Sequence, residues 1–263
     1  MNRSSRWRLI RIALLAGPEA AVATAVKDAF DARKRAQDRL RSFVADASHE
    51  LRTPLATVRG WIDLYVQGGL SDPGQLDHAM ERMQAEVGRM QLLVGELALL
   101  AHLDAARPLN REPVDVVVLA GEVVDDARVV SADRAITLDG VAEAVVGGDS
   151  PRIQQVLRNL VGNAVQHTPP GTPVTVTVSS EAGGVTVEVR DEGDGIAPEH
   201  LPHVFERFYR ADPGRDRGRG ASSGLGLAIV EAIVAAHGGT VGVTSAPGQG
   251  TAVQVTFPGD DFP

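Results

Sequence analysis

Two long apolar stripes, separated by a glycine pair, constrain the fold of the N-terminal third more than any other feature. Within each stripe, apolar residues recur at spacings of three, four or seven, which is typical of an amphipathic helix. The stripes comprise Val22, Val26, Ala29, Ala36, Leu40, Phe43, Ala47, Leu51, Val58, Ile62 and Tyr65, and then Leu76, Met80, Met83, Val87, Met90, Val94 and Leu97. The pattern predicts one helix from Pro18 to Gly68-Gly69 and a second that begins with Asp72 as N-cap and Pro73 at its first position.

The short connection between the two predicted helices favours an antiparallel helical hairpin. Each stripe is too long to be buried by one partner helix. We therefore expect a homodimer, in which two hairpins form a four-helix bundle. The alternative is a monomeric hairpin that packs on the C-terminal part of the chain.

The remainder of the chain, after Arg107-Pro108, alternates strand and helix patterns. Strands are expected at 114–116, 135–138, 144–146, 174–179, 185–190, 241–245 and 252–257, and helices at 119–130, at 149–166 with Asp149 as cap, and at 223–237. This order predicts a two-layer α/β sandwich with a mixed sheet. The whole fold class is therefore α plus α/β.

Composition excludes several classes of function. The net charge is −8, which is not the basic footprint of a nucleic-acid-binding protein, and we expect no nucleic-acid partner. The absence of cysteine excludes disulfides and thiolate metal sites. An apolar run at 12–17 is far shorter than the roughly 20 residues of a membrane span. A signal peptide is the lesser alternative for this basic segment. We expect a cytoplasmic protein, with any attachment to the inner face of the membrane supplied by an upstream region or a partner.

The octet Ser-His-Glu-Leu-Arg-Thr-Pro-Leu at 48–55 lies inside the first stripe. His49 falls about 200° around the helix from the apolar positions, so it is expected to face away from them. Glu50 can hold an imidazole tautomer or accept a proton, and Thr53 shares the face of His49. Pro54 removes a backbone donor and bends the helix. A zinc motif of the His-Glu-x-x-His type would need histidine where Thr53 stands, and a solvated surface histidine is the other interpretation.

The segment from Phe43 to Leu55 resembles the phosphoacceptor box of sensor histidine kinases of two-component systems. The resemblance implies that Nε2 of His49 takes the γ-phosphoryl group of ATP and that Glu50 assists the transfer. It also implies that Thr53 positions water for dephosphorylation of a partner regulator.

Three polar and glycine-rich segments downstream carry nucleotide-type chemistry. Asn159 and Asn163 share one helix face, and an amide oxygen is a suitable ligand for Mg²⁺. Asp191 follows a strand and can accept a hydrogen bond from an adenine amino group. Residues 223–227 precede a helix, where glycines and the helix N-terminus can cradle phosphates. The sequence contains neither a Walker A loop nor a Rossmann fingerprint.

In this order, and with 205–210 between the second and third, these segments resemble the N, G1, F and G2 boxes of a Bergerat-type ATPase domain. The resemblance implies that Asn163 holds Mg²⁺, Asn159 supports the phosphates and Asp191 reads adenine. The other expected ATP-binding residues are His167, Gly193, Gly195, Gly224, Leu225, Gly226, Leu227 and Thr251. Arg215, Arg217 and Arg219 are expected to belong to a mobile lid. Gln166 departs from the pattern, because many members have lysine there; His167 either stacks on adenine or acts as a helix-end cation.

The resemblance divides the chain into a basic segment and linker helix (1–39), a dimerisation and histidine phosphotransfer domain (40–107) and an ATP-binding domain (108–263). It predicts an ATP-dependent autokinase that uses Mg²⁺, phosphorylates His49, and passes the group to an aspartate of a response regulator with a receiver domain. Regulator phosphatase activity is expected too. The rivals are a degenerate kinase that acts as a dimeric scaffold, suggested by Gln166, and a hydrolytic ATPase, which would carry glutamate where Asn159 stands.

Overall fold

The computed structural model describes residues 18–104, 109–181, 183–211 and 223–259. The chain divides into two compact units, Met1–Thr53 and Pro54–Pro263, which are described in turn. In the described part of the chain, every helix is too short or too polar to cross a lipid bilayer.

The described part of the first unit is the N-terminal part of helix α1, which spans Pro18–Val66 and contains Pro54. Val26, Phe30 and Val44 are exposed on this single chain, whereas Phe43, Ala47 and Leu51 are half-buried. The side chains of Val22, Ala29, Ala36 and Leu40, also assigned to the apolar stripe, lie outside those described.

In the second unit, a turn links the end of α1 to helix α2, Pro73–Asp104. Gly68 has a φ of 75°, and the amide of Gly69 donates to the carbonyl of Leu64 over 2.9 Å, which ends α1. The Asp72 carboxylate accepts from the amide of Gln75 over 3.2 Å, as expected of an N-cap. The ring of Trp61 meets that of His78 edge-on at 6.1 Å, so the two helices turn back along each other.

The α/β part begins with β1 (Glu112–Asp115), which pairs antiparallel with β3 (Val145–Gly148). The main sheet contains β2 (Ile136–Gly140), β4 (Val174–Glu181), β5 (Gly184–Asp191), β6 (Thr240–Ser245) and β7 (Thr251–Pro258). Its order is β2-β4-β5-β7-β6, with β2 and β4 parallel and the other neighbours antiparallel. The predicted mixed sheet is confirmed.

Among the helices α3 (Val116–Val130), α4 (Ser150–Gln166) and α5 (Gly226–Ala236), α4 packs against both α3 and α5, and all three pack against the sheet. The valines of β4 alternate, with Val174, Val176 and Val178 buried and the threonines between them half-buried. Each fully buried aliphatic side chain contributes about 1.5–3 kcal/mol. One apolar layer therefore joins sheet and helices, which confirms the two-layer architecture.

Several predicted boundaries were wrong by up to three residues, and two of them have a clear local cause. Val116 belongs to α3 rather than to the first strand, because the carboxylate of Asp115 accepts from the amide of Val117 over 2.9 Å and caps the helix. The last helix begins at Gly226 rather than Ser223, because Gly224 has a φ of 69°, outside the helical region.

The register of the sheet places its strand ends in one row. Ile136 is opposite Val174, which is opposite Asp191, and Asp191 is opposite Thr251. This row is the edge of the sheet on which the candidate site lies.

Candidate functional site

The octet of the phosphoacceptor-like motif lies on α1. His49 and Thr53 are exposed, Glu50 is half-buried, and the hydroxyl of Ser48 donates to the carbonyl of Val44 over 2.7 Å. Since Leu51 is half-buried, the histidine is more accessible than the apolar position two residues after it. The helix therefore exposes the imidazole of His49 to solvent, as is required of a group that reacts with a ligand.

A cavity of about 320 Å³ lies within the second unit at the sheet edge just described. Its walls come from the C-terminal end of α4, the ends of β5 and β7, and the segments that precede α5. It brings together eight of the predicted nucleotide residues, which are Asn163, His167, Asp191, Gly195, Gly224, Gly226, Leu227 and Thr251. These residues come from segments up to 88 positions apart, the separation of Asn163 and Thr251, so the fold assembles them.

Asp191 is the buried charged group among the described residues that line this cavity, with 9% of its surface exposed. The amide of Gly193 donates to its Oδ1 over 2.9 Å. Burial raises the pKa of Asp191, while hydrogen bonds from the backbone of Gly193 and Thr251, and the charges of His167 and Arg134, act to lower it. The arrangement holds a carboxylate at the wall of an otherwise largely apolar cavity, where it can accept from an amino group of a planar ligand.

At two glycines of the site, neighbouring backbone atoms lie too close to leave room for a side chain. A Cβ on Gly195 would lie 2.0 Å from the carbonyl oxygen of Ala246. A Cβ on Gly224 would lie 2.8 Å from the carbonyl carbon of Phe208, whose amide donates to the carbonyl of Gly224 over 2.8 Å. A backbone hydrogen bond therefore joins the two predicted segments 205–210 and 223–227.

The two asparagines of α4 lie in different places. Asn163 is half-buried and lines the cavity, so its amide oxygen is available to a hard cation together with phosphate and water. Asn159 lies outside the cavity lining, and its amide nitrogen donates to the carbonyl of Gly226 over 3.1 Å. Asn159 therefore supports the start of α5.

Gly193 and Leu225 also lie behind the cavity wall. Leu225 is fully buried in the core, and Gly193 packs against Thr168. Gln166 and His167 both line the cavity, at the end of α4. Arg215, Arg217 and Arg219 lie outside the described residues.

The sequence interpretation missed the apolar wall of the cavity, formed in part by Leu160, Val189, Ile196, Val204, Val243 and Val253. The strand alternation carried a signal for Val189 and Val253, since both lie on the buried face of their strands. Tyr209 and Arg210, which the sequence interpretation placed in the segment 205–210 without a binding role, also line the cavity. Among the described residues, no cluster of three or more histidine, cysteine or acidic side chains could hold a metal ion.

Helix α2 is bonded to the cavity-forming segments of the same unit. The hydroxyl of Ser223 donates to Oε2 of Glu96 over 2.7 Å, and Arg207 donates to both carboxylate oxygens of Asp104 over 2.8 and 2.9 Å. Burial raises the pKa of Glu96, and the bond from Ser223 acts to lower it. Helix α2 also packs against α5.

Comparison with known proteins finds a family model for each of two parts of the chain. Residues 39–106 match the family model of the His Kinase A (phospho-acceptor) domain. Residues 148–261 match that of the histidine kinase-, DNA gyrase B- and HSP90-like ATPase. The two matches define a protein that combines a phosphoacceptor domain with an ATPase domain.

Individual relatives and solved structures also match this chain. The probable sensor histidine kinase TcrY of Mycobacterium tuberculosis is 49% identical over 221 residues, which are 84% of this chain and 46% of TcrY. The histidine kinase AdeS of Acinetobacter baumannii has a solved structure with a TM-score of 0.64 and 25% identity, covering 81% of this chain and 98% of that one. Full-length ShkA in complex with AMPPNP gives a TM-score of 0.61 and 30% identity, over 81% of this chain and 45% of that one.

The chain belongs to the sensor histidine kinases of two-component systems and comprises their catalytic core. The expected family and fold class are confirmed. The chain spans about half the length of the curated relatives it matches.

Proposed function

We propose that this chain is an ATP-dependent protein-histidine kinase that phosphorylates its own His49. The observation that carries the proposal is the cavity of about 320 Å³ with Asp191 buried at its wall and Asn163 beside it, on a chain that also exposes His49. A cavity of this size suits a nucleotide base and ribose. The complex of the relative ShkA with AMPPNP, an ATP analogue, supports the same ligand class.

Asp191 and Asn163 are the polar groups of the cavity that carry this proposal. The carboxylate of Asp191 accepts from the exocyclic amino group of adenine, and the hydroxyl of Thr251 lies at the same end of the sheet. Asn163 offers its amide oxygen to Mg²⁺, which prefers oxygen ligands and keeps several waters. When bound, Mg²⁺ neutralises charge on the phosphates. Gly224 and Gly226, which lack side chains, leave room for the backbone before α5 to approach the phosphates, and Leu227 also lines the cavity.

His49 supplies the nucleophile. The lone pair of Nε2 on the neutral imidazole attacks the γ-phosphorus, a bond from nitrogen to phosphorus forms, and the bond to the β-phosphate oxygen breaks as ADP leaves. The proton on Nδ1 of the resulting imidazolium passes to the carboxylate of Glu50 and then to water. The side chain of Glu50 is adjacent in sequence and half-buried on α1.

The finer features of the family extend this proposal. Phosphohistidine passes its phosphoryl group to an aspartate of a receiver-domain protein, and Thr53 positions the water that hydrolyses the aspartyl phosphate and releases inorganic phosphate. The proposed division is 1–39, 40–107 and 108–263, with the middle part forming a homodimer. Exposed Ile62, Tyr65 and Val66 provide apolar surface for the partner helices. ATP and receiver-domain proteins are cytoplasmic, so we place the chain there.

The test is incubation of the purified chain with γ-labelled ATP and Mg²⁺, followed by treatment of the labelled protein with acid or base. Label that is lost in acid, is stable in base and is absent from His49→Gln supports the proposal. His78→Gln is the matched control, because His78 is also exposed on a helix. Label that survives in His49→Gln contradicts it.

Gln166 gives the rival proposal a specific basis, since it lines the cavity at a position where the family resemblance implies lysine. A degenerate kinase would bind a regulator without self-labelling, and would do so equally with and without ATP. The hydrolytic rival would need a glutamate as general base at position 159, where this chain has Asn159, and an amide cannot take up the proton of water.

A further inference from the structure

Arg134 lies just before β2, at the sheet edge that forms the cavity, although it is not part of the cavity wall. Its Nη1 donates to the hydroxyl of Thr168 over 2.7 Å, and its Nη2 donates to the carbonyl of Pro169 over 3.3 Å. The side chain therefore fastens the segment that follows α4 to the edge strand of the sheet. Nothing in the proposed chemistry uses this arginine.

Thr168 links Arg134 to Gly193, which is hydrogen-bonded to Asp191. It is 4% exposed, and its hydroxyl donates to the carbonyl of Ala164 over 2.6 Å while it accepts from Arg134. Its methyl group packs on Gly193, where an added Cβ would lie only 2.6 Å from it. The amide of Gly193 in turn donates to Oδ1 of Asp191. Arg134, Thr168 and Gly193 form a continuous series of contacts that ends on the carboxylate.

The positive charge of Arg134 also favours the ionised form of the Asp191 carboxylate. Burial raises the pKa of Asp191, and the positive charge of Arg134 is among the factors that lower it. His167, at the end of α4, also acts to lower this pKa, and Asp194 and Arg210 line the same cavity. Loss of Arg134 would leave Asp191 protonated up to a higher pH, and a protonated carboxyl group is a poorer acceptor for an amino group.

We propose that Arg134 is a positioning residue for nucleotide selectivity: through Thr168 and Gly193 it orients the carboxylate of Asp191, and so sets the preference for adenine over guanine. The inference rests on the proposed function, since it assumes that Asp191 reads adenine. It adds a residue outside the cavity to the machinery that selects the substrate.

The test measures dissociation constants of ATP and GTP by titration calorimetry on the full chain with Mg²⁺. Arg134→Met should weaken ATP binding about tenfold, as loss of a charged hydrogen bond predicts, and leave GTP binding unchanged, so that selectivity falls. The pH at which ATP affinity begins to fall on acidification should be higher in this variant than in wild type. Arg134→Lys should restore part of the selectivity, because it returns the charge without the two-pronged donor. At saturating ATP the labelling rate should stay near that of wild type.

Arg158→Met is the matched control, because Arg158 is exposed and pairs with Asp126 away from the cavity. Equal ATP affinity and selectivity in Arg134→Met and Arg158→Met would overturn the inference, as would equal losses for ATP and GTP. If Arg134→Met does not fold, Thr168→Val keeps the arginine and removes its acceptor. The same selective loss is expected, and wild-type selectivity would overturn the inference. A wild-type chain without preference for ATP would instead reject the proposed function.

Discussion

The hydroxyl of Ser223 donates to the carboxylate of Glu96 over 2.7 Å and joins helix α2 to the segment before α5. The two residues are 127 positions apart. Since Ser223 also accepts from the amide of Leu225 over 3.2 Å, one hydroxyl fixes both the helix contact and the turn beside the cavity. Glu96 is thereby held as a half-buried acceptor with one hydroxyl donor.

Ser223→Ala should destabilise the protein by about 1–2 kcal/mol at neutral pH, because it leaves a half-buried carboxylate without this donor. The pKa of Glu96 is already raised in the folded state, so folding takes up a proton there and stability falls as pH rises above 4.5. Loss of the Ser223 bond raises this pKa further. The loss of stability should therefore shrink as pH falls toward 4.5. Urea unfolding at several pH values measures it.

Ser180→Ala, at an exposed position on β4, is the control and should be close to neutral. Glu96→Gln should remove most of this pH dependence. A Ser223→Ala loss that is constant with pH would show that the hydroxyl does not act through Glu96.

Asp191→Asn should weaken ATP binding about 10- to 100-fold, since the amide removes the charge of the proposed adenine acceptor. The raised pKa of Asp191 has a second consequence: the carboxylate becomes protonated at a pH above its ordinary value of 3.8, so ATP affinity should fall with acidification from a correspondingly higher pH. Calorimetric titration across this range checks both effects. Asp139→Asn, exposed on β2, should bind as wild type does; equal affinities in the two variants would remove Asp191 from the site.

Gln166→Lys should raise ATP affinity by about three- to tenfold, because it adds a cation to the cavity wall on which Gln166 lies. The gain should be largest for ATP and smallest for adenosine, and it should decrease at high salt. Binding measured for adenosine, ADP and ATP at two ionic strengths tests this. An equal gain for adenosine would mean that position 166 does not face the phosphates.

Thr53→Ala should keep self-labelling and lose dephosphorylation of the phosphorylated regulator. The hydroxyl is exposed one helical turn after His49, where it can orient water on the same face. The measurement follows loss of label from a receiver-domain protein encoded beside this chain. Thr57→Ala, one turn further along α1, is the control. Unchanged phosphatase activity in Thr53→Ala would reject the proposed role.

Local signals predicted most of the fold, and long-range contacts explain what they missed. The capping carboxylates of Asp72 and Asp149 accept hydrogen bonds from amides three residues later. Each cap can therefore be predicted from the residues next to it in sequence. The wrong start at Ser223 arose because the positive φ of Gly224 depends on its bond to Phe208, 16 positions earlier.

The candidate site shows the same division. Its motifs identified most of the polar cavity lining, because each motif is a short segment that bears its own chemistry. Arg134 escaped notice because its partner Thr168 is 34 residues away and lies beside it only when β2 pairs in parallel with β4.

The central claim is that His49 is phosphorylated by ATP held in the cavity that contains Asp191. Labelling from γ-labelled ATP, compared at subsaturating and at raised ATP in wild type, His49→Gln, Asp191→Asn and His78→Gln, tests it most directly. The account predicts one acid-labile label in wild type and His78→Gln, none in His49→Gln, and strongly reduced label in Asp191→Asn that returns as ATP is raised. Full labelling of His49→Gln, or undiminished labelling of Asp191→Asn, would contradict it.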